Sequence, residues 1–583
     1  LSRQLPWRQL SLIVQSNGVS DGKQAHGAQP ARHGLAVALP AIRFEAEAFQ
    51  LGTDKILGRQ SAGEAFLRAV LAVDGLEEIH GCGPNPSSAK PFGKIVGELA
   101  PGLTANWLST ASLDAIHRVG AIHNPDPMLG ELARSRMLVG SGAWSLSGVT
   151  HTISSLGAMR GIAELVSAPL MEWDGVICTS DAVRTSVREI VSEQENYLAW
   201  RMPGGKPGPR LQLPVIPLGV HCADFAYSPQ DKQAARAALD LDADEVAFLF
   251  VGRLSFHAKA NPFPMYVALE EAAARTGKRI VLIQCGWFSN TAIEKVFKDS
   301  ARKHAPSVRT IWLDGRQADH RRQAWASGDV FISLSDNIQE TFGLTPLEAM
   351  AAGLPVLVTD WNGYRQTVID GECGMMIPTF APATPTGLRY AVAHASEAIN
   401  YDHYLSHTAR HISLDMTRLC DAATALAGDA DLRRRMGAAG QGIARARFDW
   451  SVLIKDYVAF WAELGRIRAA VSARDPRAAP RIAADRIDPF RLFANYPTHA
   501  ITAQTKLRLR PAGADFRTML ADALFSQLRN TLPSDEAFAA LIAAIGPGGG
   551  RKLGDAAAAA KLDIDQGLTT ASMLVKMGVL EVA

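Results

Sequence analysis

The chain has 583 residues, 47% of them hydrophobic and 20% charged. This is a globular composition, long enough for roughly three to five domains of about 100–200 residues each, and it excludes general disorder and fibrous repeats. The 60 Lys and Arg against 58 Asp and Glu leave a net charge of +2, so the whole chain makes no electrostatic case for nucleic acid or an anionic membrane. No apolar run reaches the roughly 18 residues of a membrane-spanning helix. The six cysteines (Cys82, Cys178, Cys222, Cys285, Cys373 and Cys420) include no Cys-x-x-Cys pair, and most lie in apolar surroundings. They read as reduced core residues of a cytosolic protein rather than a disulfide frame or a zinc site.

The first residue is Leu, and residues 1–38 mix Gln, Arg, Ser, Gly and His with weak periodicity. Residues 11–14 are too short for the apolar core of a signal peptide, so a poorly ordered extension, or a misassigned start codon, is expected. From about 35 to 469, β-rich runs alternate with amphipathic helical stretches. A strand is predicted over 41–49, then a turn at Gly58–Gly63 and a helix over 64–73. A buried strand at 174–180 leads into a helix capped near Asp181. Further strands fall at 246–251, 279–285, 308–313, 330–334 and 355–359, with a helix over 264–276 stopped by Gly277. This alternation predicts parallel sheets with helices on both faces. About 430 residues exceed one such sheet, so two α/β domains are expected, 39–228 and 229–468, followed by an Ala/Arg/Pro-rich linker (469–484) and an extra module (485–583). Ligands of doubly wound sheets bind outside the carboxyl ends of the strands, which places a ligand in the cleft between two facing sheets.

The densest chemistry lies between Asp329 and Pro378. A strand enters a polar loop containing Glu340, a helix is predicted from Thr345-Pro346, Gly353 stops it, and Pro355 opens the next strand. The backbone amides of Thr341, Phe342, Gly343 and Leu344 are then free to hold an anion at a helix start. Thr345-x-x-Glu348 also fits a capping box, in which Glu348 would bond back to the Thr345 amide.

Within this frame Glu340-x7-Glu348, Ala-Met-Ala-Ala-Gly-Leu-Pro-Val and the Gly371-Glu-Cys-Gly374 turn resemble the retaining glycosyltransferases of family 4 (glycosyl transferases group 1), which have the two-Rossmann-domain fold called GT-B. The similarity covers roughly 44–464 and is strongest over 246–378. Upstream, Val251-Gly-Arg253-Leu-Ser-Phe-His-Ala-Lys259 is similar to the family's Gly-Arg-Leu…Lys segment, although Ala260 stands where the family usually has Gly. The resemblance implies that Arg253 and Lys259 bind the donor diphosphate, that Glu340 approaches the donor sugar hydroxyls and that Glu348 binds the ribose. Basic side chains and a helix end would stabilise the departing diphosphate in place of a metal. Gly148-Val-Thr-His151 resembles the family's His loop facing the donor sugar. Gly58–Gly63 is the nearest counterpart of its glycine loop on the acceptor and diphosphate side. Ile216-Pro-Leu-Gly-Val-His221 resembles the connecting Ile-Pro-Asn-Gly-Val-Asp turn but departs from it at Leu218 and His221.

Asp240-Leu-Asp242-Ala-Asp244 precedes a strand in a polar segment and reads as a solvated loop rather than a metal-binding Asp-x-Asp site. No metal ligand set is expected, and His304 and His320 stand too far apart for a local pair. In the tail, Thr505–Arg510 alternates like a solvated edge strand. From Leu553 a helix, a break at 563–566 and a second helix through 577–581 resemble half of a helix-turn-helix. Residues 555–583 carry Lys561 and Lys576 against Asp555, Asp563, Asp565 and Glu581, a net of −2. That argues against DNA and leaves protein contact or oligomerisation as the expected role.

The resemblance implies a retaining, metal-independent hexosyltransferase that uses a nucleoside diphosphate sugar as co-substrate and needs no cofactor. The acceptor could be a glycan, a lipid-linked glycan or a small molecule, as in polysaccharide biosynthesis. A cytoplasmic location is expected, with peripheral contact to the inner membrane left open. The competing readings are a non-catalytic nucleotide-sugar or glycan sensor and a GT-B nucleotide-sugar epimerase.

Overall fold

The computed structural model describes residues 39–49, 58–205, 208–471, 486–511, 513, 515–526 and 532–583. The expected extension over 1–38 and most of the linker lie outside them.

Two six-stranded parallel sheets dominate residues 39–471. The first contains β1 (Ala41–Arg43), β2 (Glu78–Gly83), β3 (Thr104–Ser109), β4 (Ala121–Asn124), β5 (Ser145–Val149) and β6 (Gly175–Ile177), in the order β3-β2-β1-β4-β5-β6. The second contains β7 (Val246–Val251), β8 (Ile280–Gly286), β9 (Arg309–Asp314), β10 (Val330–Ser333), β11 (Val356–Thr359) and β12 (Gly374–Ile377), in the order β12-β11-β10-β7-β8-β9. Both follow the 3-2-1-4-5-6 order of a doubly wound Rossmann sheet. Two such sheets in one chain make the GT-B architecture. β7, β8, β10 and β11 are buried along their whole length, as strands covered by helices on both faces must be.

Several expectations are corrected. The run 41–49 is not one strand: β1 ends at Arg43 and a short helix covers Ala46–Phe49. Gly58 and Gly63 do not form a turn, because the helix begins at Gly58 and runs to Leu71. That helix packs Phe66 against Trp450, Tyr457 and Trp461, and apolar burial of this kind outweighs the weak helix propensity of two glycines. The helix that closes the second half spans Trp450–Val471 and so runs past the expected domain end at 468. The Asp-x-Asp carboxylates at Asp242 and Asp244 both pair with Arg279, in keeping with a surface loop.

The chain crosses between the sheets twice, and the crossings are bonded to each other. The Val220 amide donates to the Phe448 carbonyl at 2.9 Å, and the Trp450 amide donates back to the Val220 carbonyl at 3.0 Å. The Ile216–His221 turn therefore serves as one strand of a two-stranded connection. In the first half, Arg136 and Asp174 form a fully buried pair with two 2.6 Å hydrogen bonds. The Asp174 carboxylate also accepts from the Leu146 and Met171 amides, each at 2.8 Å, so the buried charges are compensated.

Residues 486–583 form a separate compact unit with its own core, including Leu507, Phe516, Phe538, Leu541, Leu553 and Leu574. After the short antiparallel pair β13 (Thr379–Phe380) and β14 (Ser413–Leu414) of the preceding half, this unit combines helices with a three-stranded antiparallel sheet of β15 (Lys506–Leu509), β16 (Arg551–Lys552) and β17 (Leu580–Val582), in the order β16-β15-β17. Two corrections follow. β15 is the central strand, not an edge. The last helix stops at Lys576, and Leu580–Val582 is a strand rather than its continuation, because Gly578 at φ 71° turns the chain back beside β15.

Candidate functional site

The site stands at the switch point of the second sheet. The order reverses between β7 and β10, where the crossovers leave toward opposite faces and open a crevice beyond the strand ends. Arg253 and Lys259 follow β7; Glu340 and the helix Leu344–Ala351 follow β10. At the same end Gly286 approaches so closely that a Cβ there would collide with the Gly252 carbonyl oxygen.

The helix starts at Leu344, one residue earlier than the Thr345-Pro346 signal suggests, with Gly343 as its cap at φ 85°. Glycine is needed there twice over: the backbone is left-handed, and any Cβ would strike the Tyr364 ring. The capping box does not form, because Thr345 lies inside the helix and no side chain caps it. Glu348 is thus released from that role. Its part-buried carboxyl makes no hydrogen bond or ion pair among the described residues. Burial pushes it up to about 7, with Arg321 and Lys259 pulling the other way. The amides of Thr341, Phe342 and Gly343 donate no backbone hydrogen bond among the described residues, so three N–H groups precede the helix unspent.

Lys259 forms an ion pair with Glu340; their side chains are 26% and 11% exposed. The backbone of Glu340 is held as well, its carbonyl accepting from the side-chain Nδ2 of Asn362 at 2.5 Å. Arg253 makes no ion pair among the described residues. Its Nη2 donates to Gln339 Oε1 at 2.7 Å and to the Ala258 carbonyl at 3.2 Å. Burial lowers the guanidinium's pKa from its ordinary value, while Asp402, Tyr401 and Glu340 act to raise it. One cation is therefore neutralised by a carboxylate and the other is held only by neutral oxygens.

From the first half, His151 stands just beyond β5 and lowers the affinity of buried His123 for a proton. His123 is pulled down to about 3, chiefly by burial, and its Nδ1 lies 2.9 Å from Ser147 Oγ. Gly58 and Gly63 are drawn into the helix that supports the inter-sheet connection, where the Ala65 carbonyl accepts from His221 Nε2 at 3.0 Å and Arg68 pairs with Asp224 at 2.6 Å. Residues 50–57, which precede that helix, lie outside the described set.

The sequence reading missed the groups that join the two halves here. Ser180 Oγ donates to the Thr341 carbonyl at 3.1 Å, and Gln366 exchanges hydrogen bonds with Asp181 at 2.7 and 3.1 Å. Gln339 links Arg253 to Tyr401. Gln339 could have been suspected from its place beside Glu340; Tyr401 lies in a stretch with no motif. Among the described residues no cluster of three His, Cys, Asp or Glu is arranged to hold a metal, and no helix is long and apolar enough to cross a membrane.

Residues 231–387, which contain Arg253, Lys259, Glu340 and Glu348, match the family described as Glycosyl transferases group 1. Over that segment the chain is similar to group 1 glycosyltransferases. That segment covers β7 to β12. Over longer stretches the chain is similar to curated relatives named D-inositol 3-phosphate glycosyltransferase. It is 29% identical to the protein from Rhodococcus erythropolis over 43% of this chain and 53% of that one. It is 28% identical to the protein from Nocardia farcinica over 56% of this chain and 64% of that one. The chain thus spans between half and two-thirds of the length of these relatives. A crystal structure of Anabaena Alr3699/HepE in complex with UDP aligns with a TM-score of 0.46 at 15% identity, over 70% of this chain and 98% of that one.

Proposed function

We propose that the protein is a retaining glycosyltransferase that moves a hexose from a nucleoside diphosphate sugar to a hydroxyl acceptor without a metal. The observation that carries this is the gathering of Arg253, Lys259, Glu340 and Glu348 around one switch point, beside three free amides at a helix start. Charge accumulates on the diphosphate as the sugar C1–O bond breaks, and preorganised cations and N–H groups lower that barrier. Arg253 suits a phosphate oxygen because its fork can exchange neutral partners for charged ones. Lys259 shares itself between Glu340 and the diphosphate, and Glu340 then accepts from hydroxyls of the transferred sugar. Glu348, outside any capping box and without a partner among the described residues, offers two carboxylate oxygens to the vicinal hydroxyls of a ribose. Retention follows from same-face displacement: the acceptor oxygen attacks C1 from the side the diphosphate leaves, and a departing phosphate oxygen takes the acceptor's proton. His151 faces the sugar from the first half. The relatives' names make a phosphorylated polyol the first small-molecule acceptor to try; glycan and lipid-linked acceptors come next.

The test is a thermal-shift panel of UDP, GDP, ADP and TDP with and without magnesium, followed by their sugars. A ligand at about 100 times its Kd stabilises the folded chain by about 2.7 kcal/mol. A magnesium-independent shift with one base, lost in Arg253→Ala, is expected. Glu340→Gln should then abolish transfer while the protein still folds and still binds the diphosphate. Full transfer in that variant would remove Glu340 from the chemistry.

A further inference from the structure

Between β12 and the next helix of the second half, the chain makes an excursion. Thr379–Phe380 pairs antiparallel with Ser413–Leu414, and residues 381–412 between them carry the helices Leu388–Ala395 and Tyr401–Ala409. The excursion is internally braced. The Tyr390 and His407 rings stack at 5.0 Å with 4° between their planes, His394 and Tyr404 stack at 4.5 Å, and Tyr390 OH lies 2.8 Å from His411 Nε2. The Asn400 side chain caps the second helix through the His403 amide at 2.9 Å. Tyr401, the first residue of that helix, is therefore held at a fixed place.

Its hydroxyl lies 2.7 Å from Ser154 Oγ and 3.4 Å from Thr152 Oγ1, both in the loop that leaves β5 after His151. It also accepts from Gln339 Nε2 at 3.4 Å, while Gln339 Oε1 accepts from Arg253 Nη2 at 2.7 Å. Continuous hydrogen bonds thus run from the first half, through one phenol and one amide, to the guanidinium. Gln339 is fully directional in this chain: with its oxygen toward Arg253, its NH2 must face Tyr401.

Resting on the donor-site reading above, we propose that Tyr401 is a positioning residue for the donor diphosphate. It joins the seating of the 152–154 loop to the aim of Arg253 by way of Gln339. A guanidinium tied to neutral oxygens can swing to solvent unless its acceptor is itself fixed, and Tyr401 supplies that fixing. The halves are then read by the site: with the 152–154 loop against Tyr401, Arg253 points into the crevice.

The experiment compares nucleoside diphosphates with the matching monophosphates by titration calorimetry on the full chain. Tyr401→Phe keeps the ring and removes only the hydroxyl. It should weaken the diphosphate by about threefold to tenfold, the range of one hydrogen bond, and leave the monophosphate unchanged. In an Arg253→Ala background the same change should cost nothing further, since the loss acts through that residue. Ser154→Ala removes the other end of the contact and should reproduce the effect should Tyr401→Phe fold poorly. Equal losses for mono- and diphosphate, or unchanged diphosphate binding in both variants, would overturn the proposal while leaving the donor site standing. A wild-type chain that binds no nucleoside diphosphate overturns the donor site and this inference together.

Discussion

Glu348 shows how one side chain can be read two ways in the sequence and only one in three dimensions. Thr345-x-x-Glu348 fits a capping box, but Gly343 caps the helix instead and leaves the carboxyl without a hydrogen-bond or ion-pair partner among the described residues. Burial then raises its pKa from 4.5 to about 7. Ionisation costs the folded chain more than the unfolded one, so the contribution to stability is full below about 4.5 and is lost as pH rises through about 7. Glu348→Gln should remove this term: its melting temperature should exceed the wild type's at pH 8 and match it near pH 4.5. Asp336, also raised to about 7 by burial, titrates in the same window in both proteins, so the difference between the two scans isolates Glu348. The same variant should bind nucleoside diphosphate more weakly at pH 8, where the ionised carboxylate is the better acceptor for ribose hydroxyls. Higher stability with unchanged binding would make Glu348 a buried carboxyl and nothing more. Glu340 and Glu348 were legible because their spacing sits inside a strand–loop–helix frame. Tyr401 was not, because it reaches Gln339 and Ser154 across 62 and 247 residues and no local pattern records such a contact.

Elements were legible in proportion to how far their own residues dictate them. β7, β8, β10 and β11 are continuous apolar runs buried on both faces, and the sequence yields them almost residue for residue. β2 and β3 read Glu-Ile-His-Gly-Cys-Gly and Thr-Ala-Asn-Trp-Leu-Ser, and they went unrecognised; they are strands because β1 and each other supply the ladder, not because of propensity. The tail shows the same limit. The alternation of Lys506, Arg508 and Arg510 is real, but whether β15 lies at an edge or in the centre depends on β16 and β17, which are two and three residues long. Its central place carries a consequence. Arg508 is opposite Glu581 and bonds to it at 2.7 Å, whereas Lys506 is opposite Lys552. Like charges directly across an antiparallel pair destabilise it. Lys552→Glu should therefore stabilise this sheet by about 0.2–1 kcal/mol, seen as slower amide exchange in Lys506–Leu509 and lost at high salt. Unchanged exchange would mean that the two ammonium groups already splay far enough into water to ignore each other.

At the scale of the two sheets, the question is whether they unfold together. The sequence suggests two domains with a simple join, and each has a complete Rossmann order. The packing is less divisible. One hydrophobic cluster runs from Ile42 and Phe66 through Trp450, Tyr457 and Trp461 to Val251, Phe331 and Leu347, so it draws on both sheets and on the closing helix. That helix leaves the second half and lies on the first. Trp461 Nε1 donates to Ser147 Oγ at 3.0 Å on β5, and Arg468 donates to the Gly120 carbonyl and, at 3.1 Å, to the Ala143 carbonyl. The two bonded crossings at Val220 and Trp450 tie the halves a second time. A core shared in this way should make the halves one cooperative unit. Trp461→Ala opens a cavity between Phe66, His123 and Tyr457 and removes the indole N–H that donates to the Ser147 hydroxyl. The expected cost is about 3–5 kcal/mol. If the halves are one unit, hydrogen exchange should quicken by the same factor in β4 and β5 of the first sheet and in β7 and β8 of the second, and the melt should stay a single transition at lower temperature. If exchange quickens in β4 and β5 alone, the sheets are separate folding units, and the shared cluster is contact without cooperativity.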